Sequence, residues 1–363
     1  MSFDPQAVSA DAHVTGLVEL EVPSRVGRPR TWAWSRNVHA PGRWSAVVRD
    51  LEGRELARTS FRVELPHERD VHQGRSCGSV AAMTRESKTL VHRGCTLAYD
   101  VSGAGPPVVW VQGMGLHGRG WAPQVDALET RYRCLTFDNR GMARSQPVGE
   151  QLTVPLMVSD IVALMDREHI EAAHLVGHSM GGLLAIATAL EHRARVRSLT
   201  LLSTFARGSD ASRPRGPMIW IGARTMIGTR RMRRLAFLEM VMPPEVLATR
   251  DRDALAAELE PIFGHDLGER PPIVMSQLSA TGAYDASPRL GELAGIPTLV
   301  ATGAQDIVAP PTFGKALADG IPGARWLEIA GAGHGLPIQM VERTNGLVAE
   351  HLDAAEAIAR AAS

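Results

Sequence analysis

A serine between two glycines, in the run Gly-His-Ser-Met-Gly at residues 177–181, restricts the fold of this chain more than any other feature. The run follows the apolar residues 173–176 and precedes residues 182–191, which are rich in helix formers. This order predicts a strand, a sharp turn and a helix, with the hydroxyl of Ser179 projecting beyond the end of a sheet. The glycines remove side chains that would clash in so tight a turn. The helix would direct its free N–H groups towards the serine.

A serine nucleophile needs a base and an orienting carboxylate, and the chain offers both after residue 181. A glycine-lined turn with a solvated serine would give the same run, so a base and a carboxylate must support the motif. Asp306 follows a predicted strand at residues 296–303, and His334 follows another at 324–329. Both lie just beyond strand ends, in the order serine, acid, histidine. The sequence therefore predicts a triad of these two residues with Ser179.

From about residue 84 to its end, the sequence resembles the α/β-hydrolase superfamily, in the branch of small esterases and enol-lactonases. Four motifs carry the resemblance: Gly-His-Ser-Met-Gly-Gly, Gly-Ala-Gly-His, and two loops that follow predicted strands, at residues 112–115 and 138–145. The implied fold class is α/β: a mostly parallel eight-stranded sheet with helices on both faces and a helical lid.

The resemblance assigns a role to each of five residues. It implies that Ser179 is the nucleophile, that His334 is the general base and that Asp306 orients the histidine. It also implies an oxyanion hole formed by the backbone N–H groups of Met114 and Met180. No cofactor is expected, and we find no metal-ligand spacing among the histidines.

The sequence departs from the family pattern at two loop positions. Gln112 stands where the family commonly has histidine, and Ala143 stands where it has glycine. The oxyanion donors are backbone groups, so the hole should survive the first change, although the side-chain hydrogen bonds of its loop would differ. We interpret Asp138 and Arg140 as loop scaffolding rather than catalytic groups. Histidines 117, 174, 178, 192 and 265 are interpreted as packing or surface residues.

The predicted domains are a small β module at residues 1–65, a polar linker at 66–87 and the hydrolase domain at 88–363 with a lid at about 205–287. The run Arg-Thr-Trp-Ala-Trp-Ser at residues 30–35, followed by Gly-Arg-Trp at 42–44, resembles the latter part of a small bacterial β domain of unknown function. The strands of the module are expected to form an antiparallel meander and its tryptophans to form a core rather than a ligand surface. The module's strands are predicted at residues 17–22, 30–35, 42–48 and 59–65, and those of the hydrolase sheet at 89–92, 96–101, 108–111, 134–137, 173–176, 196–202, 298–301 and 325–329, with a helix at 154–168.

Composition limits the partners. Lys+Arg and Asp+Glu both total 39, so neither nucleic acid nor an anionic membrane is an implied partner. No stretch approaches the roughly 18 apolar residues of a membrane span, and the first residues lack a signal-peptide pattern, so a cytoplasmic protein is expected. The three cysteines lack CxxC spacing, which is consistent with reduced thiols. The oligomeric state is open.

Substrate choice is expected to depend on the predicted lid, which is rich in methionine and other apolar residues. The lid also contains a Thr-Arg-Arg-Met-Arg-Arg run at residues 229–234. A solvated basic helix face is the favoured interpretation of this run, and a binding site for a substrate carboxylate is the alternative.

The predicted function is hydrolysis of a carboxylic ester or lactone, a small molecule, through an acyl-enzyme. A cofactor-free haloperoxidase or perhydrolase would use the same triad, and a C–C bond hydrolase remains possible. Dehalogenases and epoxide hydrolases are disfavoured because those relatives have aspartate in place of Ser179. A non-catalytic ligand-binding protein on a hydrolase scaffold is the alternative from another class.

Overall fold

A computed structural model describes residues 42–49, 55–63, 85–212 and 216–362, with backbone only for the first two ranges. Contacts between residues divide the chain into two compact units, Met1–Ser79 and Val80–Ser363. Within the described part, no helix is both long and apolar enough to cross a membrane.

One eight-stranded sheet organises the second unit, in the order β10-β9-β8-β7-β5-β6-β4-β3. Only β4 runs against the other strands, because it pairs antiparallel with both β3 and β6. The described strands are β1 (Gly42–Arg49), β2 (Glu55–Val63), β3 (Glu86–His92), β4 (Cys95–Ser102), β5 (Pro107–Val111), β6 (Arg133–Phe137), β7 (Ala173–His178), β8 (Val196–Leu202), β9 (Thr298–Gly303) and β10 (Arg325–Ile329). All eight predicted strands of the hydrolase sheet are present.

Helices cover both faces of this sheet and form a separate group between β8 and β9. The α-helices are α1 (Ala122–Leu128), α2 (Val154–Arg167), α3 (Met180–Glu191), α4 (Gly208–Ser212), α5 (Pro217–Arg224), α6 (Arg230–Val241), α7 (Pro244–Thr249), α8 (Arg252–Phe263), α9 (Val274–Gly282), α10 (Pro311–Gly320), α11 (Leu336–Gln339) and α12 (Val341–Ala362). Three 3₁₀ helices span Gly118–Trp121, Arg193–Arg195 and Ser287–Leu293. The predicted helix at residues 154–168 is α2, whose first turn is capped by the Thr153 side chain.

Alternation along the central strands divides the core into two layers. In β5, Val109 contributes to the cluster that includes α2 and α3, while its neighbour Trp110 contributes to the cluster that includes α1 and α12. Successive side chains of a strand point to opposite faces, so each layer seals one face of the sheet. Because both faces of such a strand are buried, its sequence is a nearly continuous apolar run, and the central strands could therefore be predicted from the sequence.

The segment between β8 and β9 has a core of its own. Residues from α6, α7 and α8 bury each other there, and the rings of Phe237 and Phe263 meet edge to face with centroids 5.1 Å apart. We call residues 205–287, which contain the helices α4–α9 and the loops between them, the lid. The predicted domain limits stay a prediction, although β3 begins at Glu86, inside the range assigned to the linker.

In the first unit, β1 and β2 form an antiparallel hairpin. These strands correspond to the predicted strands at residues 42–48 and 59–65, with the second beginning four residues earlier than expected. The predicted strands at 17–22 and 30–35 lie outside the described residues. The resemblance of this module to another bacterial domain therefore stays a prediction.

Candidate active site

Ser179 occupies a strained turn between β7 and α3. Its φ of 54° and ψ of −122° place a non-glycine residue in a region that L-residues rarely adopt. A side chain at Gly177 would collide with the backbone of Gly181, and one at Gly181 would collide with the carbonyl of Val111. The two glycines of the motif are therefore required by close backbone approach, as the sequence predicts.

The structure brings Ser179, His334 and Asp306 together at the carboxyl ends of their strands. His334 Nε2 lies 3.1 Å from Ser179 Oγ, and His334 Nδ1 lies 2.9 Å from Asp306 Oδ2. All three side chains are buried. Since a carboxylate can only accept here, Nδ1 carries the proton and Nε2 is free to accept one from the serine hydroxyl.

Backbone donors fix the Asp306 carboxylate in place. Its Oδ1 accepts hydrogen bonds from the N–H groups of Val308, at 2.9 Å, and Ala309, at 2.8 Å. The same oxygen lies 3.1 Å from His334 Nδ1. These bonds hold the carboxylate in one orientation and satisfy it in a buried place, where an unpaired charge would be costly.

His178 supports His334 from the side, a role that sequence reasoning did not assign. Its Nε2 donates a 2.8 Å hydrogen bond to the carbonyl of His334, and the two rings lie with centroids 4.9 Å apart. Burial, with a smaller effect of His334, lowers the pKa of His178 to about 3. His178 is therefore a neutral donor at ordinary pH. Its place directly before the nucleophile was the available signal.

Met114 and Met180, the predicted oxyanion donors, both line the cavity that contains Ser179. The neighbouring N–H groups are already used: Gly113 donates to Gln112 Oε1 at 3.0 Å, and Gly115 donates to Gln277 Oε1 at 2.9 Å. Among the described residues, no acceptor bonds the N–H of either methionine. These two donors are thus left available at the serine, one at the start of α3 and one in the loop after β5.

The lid contacts the oxyanion loop, defined here as residues 112–115, through two side chains. Gln277 on α9 accepts from Gly115, and His265 places Nε2 3.0 Å from the Gly115 carbonyl oxygen. The side chain of Gln112 takes over part of the loop's hydrogen bonding in the position where the family commonly has histidine. The backbone course of this loop is therefore fixed from both the sheet side and the lid side.

Asp138 and Arg140 connect loops and do not line the cavity. Asp138 accepts from the N–H of Gly118 at 2.8 Å and from Nε of Arg144 at 2.8 Å. The guanidinium of Arg140 is fully buried and pairs with Asp160 on α2 while donating to nearby carbonyls. These contacts agree with the scaffolding interpretation.

A cavity of about 440 Å³ lies between the lid and the Ser179 end of the sheet. Most of its wall is apolar, as expected of a site that holds an organic molecule. The lid supplies Met218, Met226, Phe237, Met240 and Val274 to this wall. Four methionines of the lid, Met218, Met226, Met240 and Met275, therefore line the cavity, while Met232 and Met242 do not.

The arginines of the 229–234 run do not reach this cavity. Arg231 pairs with Asp253 at 2.7 Å, Arg234 pairs with Asp266, and Arg230 pairs with Glu269 at 2.6 Å. Arg233 instead donates to the carbonyls of Gly268 and Gly228. The run is therefore a helix face whose guanidinium groups bind acidic residues and carbonyls of the lid, close to the favoured interpretation. The carboxylate-binding alternative for this run has no support in these contacts.

The profile of the family described as "alpha/beta hydrolase fold" matches residues 106–339. The chain belongs to this family. It is 32% identical over 242 residues to "Putative non-heme bromoperoxidase BpoC" of Mycobacterium tuberculosis H37Rv, covering 66% of this chain and 90% of that protein. It is 31% identical over 248 residues to "Putative carbamate hydrolase RutD" of a Caulobacter species, strain K31, covering 68% of this chain and 90% of that one.

Among solved structures, the enol-lactonase of Burkholderia xenovorans LB400 is similar, with a TM-score of 0.62 and 27% identity. The match covers 73% of this chain and all of that chain, 100%. The similar proteins therefore include an enol-lactonase, and their named activities differ from one another.

Proposed function

We propose that this protein hydrolyses a carboxylic ester or lactone in two steps, with Ser179 as nucleophile. The observation that carries the proposal is the hydrogen-bonded chain from Ser179 Oγ through His334 to Asp306 at the wall of an apolar cavity. A nucleophile, a base and an orienting acid in this order are the groups that acyl transfer requires.

In the acylation step, Ser179 Oγ attacks the carbonyl carbon as His334 Nε2 takes the hydroxyl proton. The N–H groups of Met114 and Met180 stabilise the oxyanion, and Asp306 stabilises the imidazolium. Collapse of the tetrahedral intermediate expels the alcohol, which takes the proton from His334. The product of this step is an ester of Ser179, the acyl-enzyme.

In the second step, water attacks the acyl-enzyme and gives a proton to His334. The same two N–H groups hold the new oxyanion. Collapse releases the carboxylic acid, and the proton returns from His334 to Ser179. A lactone follows the same course, except that its alcohol remains attached to the acyl group until the second step.

Similarity to the relative named as a bromoperoxidase favours a second candidate function. In it, the triad would make a peracid from a carboxylic acid and peroxide, without a cofactor. The similarity to relatives named as an enol-lactonase and a carbamate hydrolase favours water as the second substrate. Both reactions use an acyl-enzyme. They differ in the acyl donor, which is an ester or lactone in one and a carboxylic acid in the other, and in whether water or peroxide attacks the acyl-enzyme.

The test combines active-site labelling with turnover. We expect the protein to react with a fluorophosphonate, to hydrolyse 4-nitrophenyl esters and to open aliphatic lactones, and we expect Ser179→Ala to lose these activities. Removing a triad serine lowers kcat by about 10⁴ to 10⁶. Ser159→Ala, a change on α2 remote from the cavity, is the control. Labelling that persists in Ser179→Ala would overturn the assignment, and peroxide-dependent bromination that exceeds ester turnover would favour the second candidate.

A further inference from the structure

The lid is rich in arginine, and Arg270 differs from the other arginines described there. The others have acidic or carbonyl partners within the protein, as the contacts of Arg207, Arg224, Arg230, Arg231, Arg233, Arg234, Arg250 and Arg252 show. Within the part of the chain that the structure describes, the polar contacts of the Arg270 guanidinium are long, 3.5 Å to Thr225 Oγ1 and 3.6 Å to Met275 Sδ. No carboxylate among the described residues lies within ion-pair distance of it.

Arg270 also lines the cavity that contains Ser179, together with both of its contact residues, Thr225 and Met275. The other charged lining residue, Glu269, is bound to Arg230 at 2.6 Å. The cavity wall therefore carries one positive charge that no acidic group among the described residues balances. Arg270 is exposed while Ser179 and His334 are buried, so this charge lies at the open side of the cavity.

The loop that carries Arg270 is held in place before any ligand arrives. The N–H of Gly268 donates to Asp266 Oδ1 at 2.6 Å, and the N–H of Glu269 donates to the Asp266 carbonyl at 2.9 Å. Pro271 follows, and a residue before proline has few backbone conformations. Because the backbone is already fixed, binding of an anion orders the Arg270 side chain but not the loop that carries it.

We infer that Arg270 binds a carboxylate of the substrate, which places this group across an apolar span from the carbonyl that Ser179 attacks. The planar guanidinium fork matches a carboxylate in two parallel hydrogen bonds. The apolar wall between the two ends fits a hydrocarbon segment. The substrate class is therefore an ester or lactone with a hydrophobic body and a terminal carboxylate. This inference rests on the proposed function for its reaction, but not for the binding itself.

A pair of substrates that differ in one charge tests the inference. Mono-4-nitrophenyl suberate ends in a carboxylate, and 4-nitrophenyl octanoate has a similar chain without it. We expect kcat/KM for the anionic ester, relative to the neutral one, to fall about tenfold in Arg270→Gln, since a hydrogen bond between charged groups is lost. We expect the same ratio to fall with added salt in the unaltered protein, because salt screens exposed charges. Arg231→Gln, which removes an equal charge from the lid outside the cavity, should leave the ratio unchanged.

Equilibrium binding separates this inference from the proposed reaction. In Ser179→Ala protein, monomethyl suberate should bind more tightly than dimethyl suberate by calorimetric titration, and Arg270→Gln should remove this preference. An unchanged preference in Arg270→Gln, or an equal loss in Arg231→Gln, would overturn the role of Arg270. If neither nitrophenyl ester is hydrolysed and no fluorophosphonate label forms, the proposed reaction fails, while the binding comparison still decides the carboxylate site.

Discussion

Ser179 and Ala143 are not glycines, yet both have positive φ angles, of 54° and 43°. The strain at Ser179 aims its hydroxyl at His334, so a change there would trade function for stability. Ala143 is exposed and lies in a loop that supports the site from outside the cavity. The strain at Ala143 places no group in the cavity. Glycine would adopt this conformation without strain, which explains why the family commonly has glycine at this position.

Replacement of Ala143 by glycine should stabilise the protein. It removes roughly 1–2 kcal/mol of left-handed strain at the cost of roughly 0.4–1 kcal/mol of unfolded-state entropy, so we expect a gain of about 0.8 kcal/mol. The matched control is Ala257→Gly at an exposed position inside α8, which should lose about 1 kcal/mol. Urea unfolding measures both changes. A loss of stability in Ala143→Gly would contradict the argument.

The Asp306 carboxylate has a role distinct from binding. In Asp306→Asn, an amide N–H₂ can donate to His334 Nδ1 and so stabilise the tautomer whose Nε2 cannot accept the serine proton. We expect kcat for a 4-nitrophenyl ester to fall by about 10⁴ with a much smaller change in KM. Asp319→Asn, at an exposed pair with Lys315, is the control. If the rate fell only a fewfold, another carboxylate would have to orient His334.

At the scale of elements, the lid and the sheet are connected through the oxyanion loop. The Gly115 N–H is satisfied by Gln277, which lies 162 positions later in the chain on α9. A second link joins the N–H of Gly335, next to His334, to the carbonyl of Val241 at the end of α6, at 2.7 Å. The lid therefore does more than cover the cavity, because it holds both the oxyanion loop and the histidine loop.

Gln277→Leu tests the first of these links. The change leaves the Gly115 N–H without its acceptor, and an unsatisfied buried donor costs roughly 1–3 kcal/mol. A loop that relaxes to find water would misplace the Met114 N–H, so we expect kcat for an ester to fall about tenfold or more. Ser276→Ala, an exposed neighbour on α9, controls for disturbance of the helix. An unchanged kcat would show that the sheet side alone fixes the loop.

Strands and turns that are marked by a local sequence pattern could be predicted, but contacts between segments that are distant in the chain could not. The buried strands could be identified because burial on both faces demands an apolar run, as in β7. Asp306 and His334 could be identified because each lies just beyond the end of a predicted strand, and the ends of parallel strands meet at the edge of the sheet where Ser179 lies. The support from Gln277 could not be predicted, since a glutamine on a short helix does not reveal its partner in sequence.

At the scale of the whole molecule, buried histidines link stability to pH. Burial lowers the pKa of His178 to about 3 and that of His174 to about 4, and it also lowers the pKa values of His117 and His351. In the unfolded chain these groups take up protons near pH 6.5. The unfolded state therefore binds more protons than the folded state below that pH, and stability falls as the pH falls towards 4.

His178→Gln isolates one contribution to this slope. A single histidine that stays neutral in the fold costs about 1.4 kcal/mol per pH unit below its unfolded pKa, so the unaltered protein should lose about 2 kcal/mol from this group between pH 6.5 and 5. Glutamine retains an N–H that can donate to the His334 carbonyl but cannot take up a proton. We therefore expect a shallower decline in the free energy of unfolding for this variant, and no such change in the exposed control His169→Gln. Equal slopes in all three proteins, measured by urea unfolding at each pH, would mean that His178 is protonated as readily in the fold as in the unfolded chain.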